Sequence, residues 1–294
     1  MQAQPIIQAF FDEPTHSVSY LVADPATGDA AVIDPVLDFD PASGKIDASG
    51  ATQILAFAKQ NQWRIKMVLE THAHADHLSA AITIKAATGA PICIGEHIVE
   101  VQKNFAPIFA LDDLQTDGSD FDRLFRDGEH FNIGALDVEV MHVPGHTPAD
   151  IAYRIADAVF VGDTLFMPDY GTARTDFPGG DARHLYRSIR RVLTLPEATR
   201  LFLCHDYKAP GRGDYCWETS IAAQKQKNIH VHDGIAEDAF VQMRDARDAT
   251  LTAPKLLLPA IQVNIRAGRL PPAAGNGVHY LRIPVTGTET AALT

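Results

Sequence analysis

The chain has 294 residues, 46% of them hydrophobic and 21% charged, which are the proportions of an ordinary globular protein with one large core. Its formal net charge of −12 disfavours a phosphate-backbone partner, which needs lysine and arginine to displace counterions, so no nucleic-acid binding is expected. The apolar runs fall well short of the roughly 20 residues of a spanning helix, and the N-terminal residues Met1-Gln2-Ala3-Gln4-Pro5 have neither a basic n-region nor an apolar h-region, so a cytoplasmic protein without membrane contact is expected.

Short strands are expected over residues 6–11, 16–22 and 30–33, punctuated by Pro14, Pro25 and Gly28 and closed by Asp34-Pro35. The spacing of Ile54, Leu55 and Ala58 predicts a helix over 50–61, with Ser49 as its N-cap. A strand over 65–70 follows, then a helix over 78–88 stopped by Gly89, then a strand over 91–94. Residues 104–135, with scattered aspartates, read as an inserted loop or short helix. Strand patterns return at 136–143, 151–155, 159–161 and 201–204, with a helix over 181–195. The tail from Pro254 to Thr294 reads as an irregular extension over the core. This loose alternation points to a sheet sandwich with helices outside it, not a doubly wound sheet. Cys93, Cys204 and Cys216 are odd in number and widely spaced, so they read as free thiols.

The run Thr71-His72-Ala73-His74-Ala75-Asp76-His77 sets three histidines and an aspartate within six positions, directly after the 65–70 strand. Burying such groups without a partner or a metal costs several kcal/mol each. A solvated loop would explain the residues one by one, but not their position where a strand pattern gives way to a helix pattern, which is where α/β proteins build sites. Three later strands end the same way. His146 follows a Pro144-Gly145 turn, Asp163 follows Val161-Gly162, and His205 follows Leu203-Cys204. His16, His97, His130, His142, His184, His230, His232 and His279 lack this context and read as ordinary core or surface residues.

Taken together, the THAHADH, PGHT, GDT and CHD segments resemble the metallo-β-lactamase superfamily over about residues 5–207, which leaves about 208–294 as an extension covering the substrate side of a single-domain chain. The resemblance implies an α/β fold, an αββα sandwich with metals at one edge between two sheets. It also implies a first metal site of His72, His74, His146 and Asp163, and a second of Asp76, His77 and His205 with Asp163 bridging. All seven positions are filled.

A full set permits two metals that generate a hydroxide, the arrangement of a dinuclear zinc thioester hydrolase of glyoxalase II type. The segment Arg174-Thr175-Asp176-Phe177, with His205-Asp206-Tyr207 and Asn264 to Gly268, instead resembles the persulfide dioxygenase branch, related to the ethylmalonic encephalopathy protein. That resemblance implies one Fe(II) per chain on His72, His146 and Asp163, a 2-His-1-carboxylate set with open positions for sulfur and O2. His74, Asp76, His77 and His205 would then orient the first three or form a second site. The implied reaction oxidises glutathione persulfide with O2 to sulfite and glutathione. Arg174 and Tyr207 are the first candidates to anchor the glutathione, with Arg266 closing over it and Arg212 as a further cation. Gly171-Thr172-Ala173 departs from the Gly-Cys-Gly of many relatives, which bears on the pocket and not on the metal ligands. The branch is compatible with a homodimer. A non-catalytic ligand-binding module that keeps the metal pocket is the remaining reading.

Overall fold

The structure, a computed structural model, describes residues 4–285. Two six-stranded sheets face each other. The first has the order Ile6–Asp12, Ser17–Ala23, Asp29–Ile33, Arg64–Leu69, Ile92–Gly95, Arg123–Phe125, and the second His130–Ile133, Leu136–His142, Ile151–Ile155, Ala158–Phe160, Arg200–Phe202, Glu218–Ser220. A small third sheet joins Lys45–Asp47, Val36–Asp40 and Leu78–Ser79. The expected sandwich is therefore observed, with helices on both outer faces.

Side chains two apart on a strand share a face, and the sequence uses this to build the layers. In Ser17–Ala23, Val18, Tyr20 and Val22 enter the core between the sheets, while Leu21 and Ala23 face the outer helices. The opposing sheet answers with Leu136, Val138 and Val140, and with Ile151, Tyr153 and Ile155. The helix Ser49–Gln60 and the helix Ala81–Thr88 cover the first sheet. The helix Ala182–Val192 lays Leu185, Ile189 and Val192 on the second. It is capped by Asp181, whose carboxylate accepts the His184 N–H at 2.7 Å, and its basic last turn, Arg190 and Arg191, suits the helix dipole.

Several elements differ from the sequence expectation. Ser49 is the first helical residue and Ala48 the cap, without a side-chain capping bond. Residues 78–79 pair as a short strand before the helix begins at Ala81, because Leu78 and Ser79 find partners on Leu37 and Val36. The stretch 104–135 is not one loop: it contains two sheet strands and the end of the helix Ile98–Phe105. Three- and four-residue edge strands carry too little periodicity to be read from sequence. Nor is the stretch after 254 irregular throughout, since the helix Leu257–Asn264 buries Ala260 to Asn264 against the first sheet's layer. The helices Ile221–Lys227 and Glu237–Asp248 lie on the other side, and Ile221 and Phe240 enter the core beneath the second sheet's outer face. Residues 286–294 of the expected extension lie outside the described residues. All three cysteines are free thiols, and among the described residues no helix is long and apolar enough to cross a membrane.

The layers bring strand ends to one edge. Asp29–Ile33 runs parallel to Arg64–Leu69, and Ala158–Phe160 parallel to Arg200–Phe202, so the residues that follow each emerge together. The turn carrying His146 depends on Gly145 at φ 148°, where an added Cβ would lie 2.3 Å from Leu185 Cα. Gly145→Ala should therefore cost at least about 2 kcal/mol in urea unfolding. Gly128→Ala, at φ 70° in open space, should lose only about 1 kcal/mol of backbone strain. Equal losses would mean that the packing of this turn on the helix is unimportant.

Candidate metal centre

Asp34 ends one parallel strand, in a left-handed conformation at φ 48°, and Thr71 follows its neighbour. The Asp34 carboxylate accepts the Thr71 N–H at 2.7 Å and the Thr71 hydroxyl at 2.8 Å, fixing the start of the 71–77 loop. Having given its only proton to Asp34, the Thr71 hydroxyl can only accept from His72 Nδ1, 3.0 Å away, so Nε2 of His72 keeps a lone pair.

The same logic sets the other rings. His146 Nδ1 donates to the Arg174 carbonyl at 2.8 Å, and His77 Nδ1 to the Leu78 carbonyl at 3.0 Å. His205 Nδ1 sits 3.2 Å from the His16 carbonyl oxygen. Each of these leaves Nε2 as the free donor atom. His74 is turned the other way. Its Nε2 lies 3.1 Å from Asp34 Oδ1 and 3.5 Å from Glu70 Oε2, which places the ring proton there and frees Nδ1.

The freed atoms converge. Those of His72, His146 and Asp163 lie within 4.8 Å of one another, as do those of His74, Asp76 and His77. His205 Nε2 joins the two groups, 3.3 Å from Asp76 Oδ2 and 3.3 Å from Asp163 Oδ1. His72 Nε2, His74 Nδ1, Asp76 Oδ2, His77 Nε2, Asp163 Oδ1 and His205 Nε2 are buried and without a hydrogen-bond partner. Buried polar atoms without partners are rare and costly, and nitrogen lone pairs with carboxylate oxygens are the donors that borderline divalent metals take. The His/Asp clusters fit a dinuclear metal site. His74, Asp76, His77 and His205 supply a second group of buried donor atoms beside the first.

The electrostatics agree. Burial and the neighbouring imidazoles pull His72 well below the ordinary histidine value, and burial with the nearby His74 brings His77 down to about 4. Burial also pulls on His205, yet Asp163 and Asp76 outweigh it and raise this ring well above the ordinary value. A cation entering between them displaces that proton.

The surroundings hold the ring from three sides. Thr147 is tied to Asp150, which accepts its N–H at 2.7 Å and its hydroxyl at 2.6 Å, and burial pushes Asp150 up to about 6. Gly162, at φ 51°, lets the chain pass Thr71, whose hydroxyl would lie 2.7 Å from an added Cβ. Asn264, from the last described helix, donates to the carbonyls of His74 and His77, both at 2.8 Å, and accepts the Ser79 N–H at 2.8 Å.

A cavity of about 530 Å³ opens on the ring and is lined by Asp76, His146 and Asp163. Of the expected substrate anchors, Arg174 and Tyr207 line it. Tyr207 stacks on His205, ring centroids 5.4 Å apart. The Arg174 guanidinium, however, is gripped by both oxygens of Asp176 at 2.6 Å and donates to the Thr252 carbonyl at 2.8 Å. Arg212 and Arg266 do not line the cavity. Arg212 binds Asp206 at 2.6 Å and Asp169 at 2.8 Å, and Arg266, buried, pairs with Asp113 at 3.0 Å. Both act as internal ties. Sequence reasoning missed Asp34, although it ends a strand as the metal donors do, and it missed the clamping role of Asn264, for which a single sequence carries no signal.

An αββα sandwich with five histidines and two aspartates converging at one edge defines a metal-binding class, and comparison with known proteins gives the same class. Residues 12–205 match the metallo-beta-lactamase superfamily model, and the chain belongs to that superfamily. It is 51% identical to a probable metallo-hydrolase of Burkholderia pseudomallei over 95% of this chain and 98% of that protein. It is 46% identical to glyoxylase B2 of Dictyostelium discoideum over 95% of this chain and 96% of that one. A beta-lactamase hydrolase-like protein of Agrobacterium fabrum is 50% identical over 98% of this chain, which spans 66% of that relative's length. Among solved structures, ETHE1 from Myxococcus xanthus is similar with a TM-score of 0.72 and 30% identity, over 90% of this chain and all of that one.

Asn264→Ala removes three buried hydrogen bonds at about 1 kcal/mol each, so it should lower unfolding free energy by about 2 to 3 kcal/mol and reduce metal retained through purification. Wild-type stability and metal content in this variant would show that the loop needs no clamp.

Proposed function

We propose that the protein is a persulfide dioxygenase: glutathione persulfide, O2 and one water give glutathione, sulfite and two protons. His72, His146 and Asp163 would hold one Fe(II), which supplies the redox steps with O2 and sulfane sulfur that zinc lacks. One observation carries the reading. The Arg174-Thr175-Asp176-Phe177 segment, whose sequence resembles the dioxygenase branch, is the segment that sets His146: the Arg174 carbonyl fixes its Nδ1 at 2.8 Å, and the Phe177 ring stands edge-on to it at 5.2 Å. The likeness to ETHE1 supports the same reading.

The chain's own groups then have definite tasks. Phe166 and Phe177 in the cavity wall keep water from the sulfur. The Tyr207 hydroxyl has no hydrogen-bond partner among the described residues. Burial, with Asp76 and Asp163, raises it well above the ordinary tyrosine value, so it keeps its proton and donates a hydrogen bond to a substrate beside the ring. Asp163 divides its oxygens, Oδ2 3.5 Å from His146 Nε2 and Oδ1 3.3 Å from His205 Nε2.

That division favours a second reading, a dinuclear thioester hydrolase of glyoxalase II type, because the donors of the second cluster are as buried and unpartnered as those of the first. The similarity to glyoxylase B2 supports it too. Metal analysis with an oxygen electrode separates the two. The dioxygenase reading expects about one iron per chain and O2 uptake with glutathione persulfide. Two metals per chain and cleavage of S-lactoylglutathione without O2 would replace it. Asp163→Ala, removing the only carboxylate of the triad, should lose iron and at least about 100-fold in kcat, while His77→Ala should lose less of both. Equal metal loss in the two variants would point to the paired site.

A further inference from the structure

Four cations line the cavity at the metal ring: Arg174, Arg244, Arg247 and Lys255. Two are spent on the protein itself. Arg174 is held by Asp176 and the Thr252 carbonyl. Arg244, whose side chain is 1% exposed, is held by Asp248 at 2.6 Å and donates to the Thr172 carbonyl at 3.1 Å. Arg247 and Lys255 are different. Both are exposed, and neither has an ion pair or a side-chain hydrogen bond among the described residues.

For an arginine this is unusual: every other arginine among the described residues has a carboxylate or a carbonyl partner, whereas an exposed lysine without one, as at Lys255, is common in this chain. In the same cavity wall, Arg174 and Arg244 have each found a carboxylate. Arg247 also stands three positions after Arg244 on the helix Glu237–Asp248, so the two like charges are close neighbours and repel. Their combined field adds to burial in pulling His230, beside the wall, down to about 4. An unneutralised pair of cations in a wall that also holds aromatic rings and a metal ring is what an anionic ligand with a reactive far end requires.

The two cations are also positioned. The Arg244–Asp248 pair locks the helix end to the cavity wall, since Asp248 accepts the Thr175 N–H at 2.8 Å. The bond from Arg174 to the Thr252 carbonyl, 2.8 Å, pins the segment that leads to Lys255. Arg174, named from sequence as the anchor, is on this view a positioning residue for the anchors.

We propose that Arg247 and Lys255 are the carboxylate-recognition end of this cavity and set its specificity for a thiol-derived substrate bearing carboxylates. The proposal rests on the reading of a glutathione-derived substrate, but not on which reaction the metal ring performs. The test is calorimetric binding of glutathione and of glutathione diethyl ester to the metal-loaded full chain. Arg247→Ala and Lys255→Ala should each weaken glutathione binding about tenfold or more, leaving affinity for the ester as in wild type. Unchanged glutathione affinity in both variants would overturn the proposal. So would an equal loss for glutathione and its ester, which would report a packing defect, or a wild type that binds no glutathione. Because binding is read without O2 or turnover, carboxylate-dependent binding in a protein that consumes no O2 would uphold this proposal while the dioxygenase reading falls.

Discussion

Lone pairs on five imidazoles and two carboxylates aimed at one small volume are a demand the protein cannot meet from within. Six of the converging atoms are buried and find no hydrogen bond. Each would cost about 1 to 3 kcal/mol if left so. Mutual repulsion of the carboxylates would add to that, and His205 can relieve it only by taking up a proton between Asp76 and Asp163. Positive charge in the middle resolves all of these costs together. The arrangement is intelligible as a metal centre and as little else.

The scaffold's contribution is to make that demand unavoidable. Parallel strand pairs deliver Asp34, the 71–77 loop, Asp163 and His205 to one edge; main-chain carbonyls then turn His77, His146 and His205, and side chains turn His72 and His74. Rotating a histidine away from the centre would break the bond at its other nitrogen. Carbonyls hold His77, His146 and His205 and one threonine hydroxyl holds His72, groups that cannot titrate, whereas His74 is held by the Asp34 and Glu70 carboxylates.

The centre was legible in the sequence because its donors sit on local signals: a dense run after a strand, then a His or Asp after each later strand. The sandwich was legible through the alternation in segments such as Ser17–Ala23. The wall of the cavity was not. Whether an arginine is a free anchor or a structural tie depends on whether a carboxylate reaches it, and those partners are remote in sequence: Asp113 lies 153 residues from Arg266, and Asp169 lies 43 from Arg212. Arg174 differs in that its partner Asp176 is only two residues away, a pairing that the sequence allows and only the geometry shows. Short strands such as Arg123–Phe125 went unread because three residues cannot show a period.

The clamp on the metal loop has a bearing on how the protein is born. Asn264 reaches the His74 carbonyl from 190 positions further along the chain. At about 5 to 20 residues per second of synthesis, the histidine loop spends on the order of 10 to 40 s outside the ribosome before its brace exists. During that interval the loop must be held by its local bonds alone, such as those from Thr71 to Asp34.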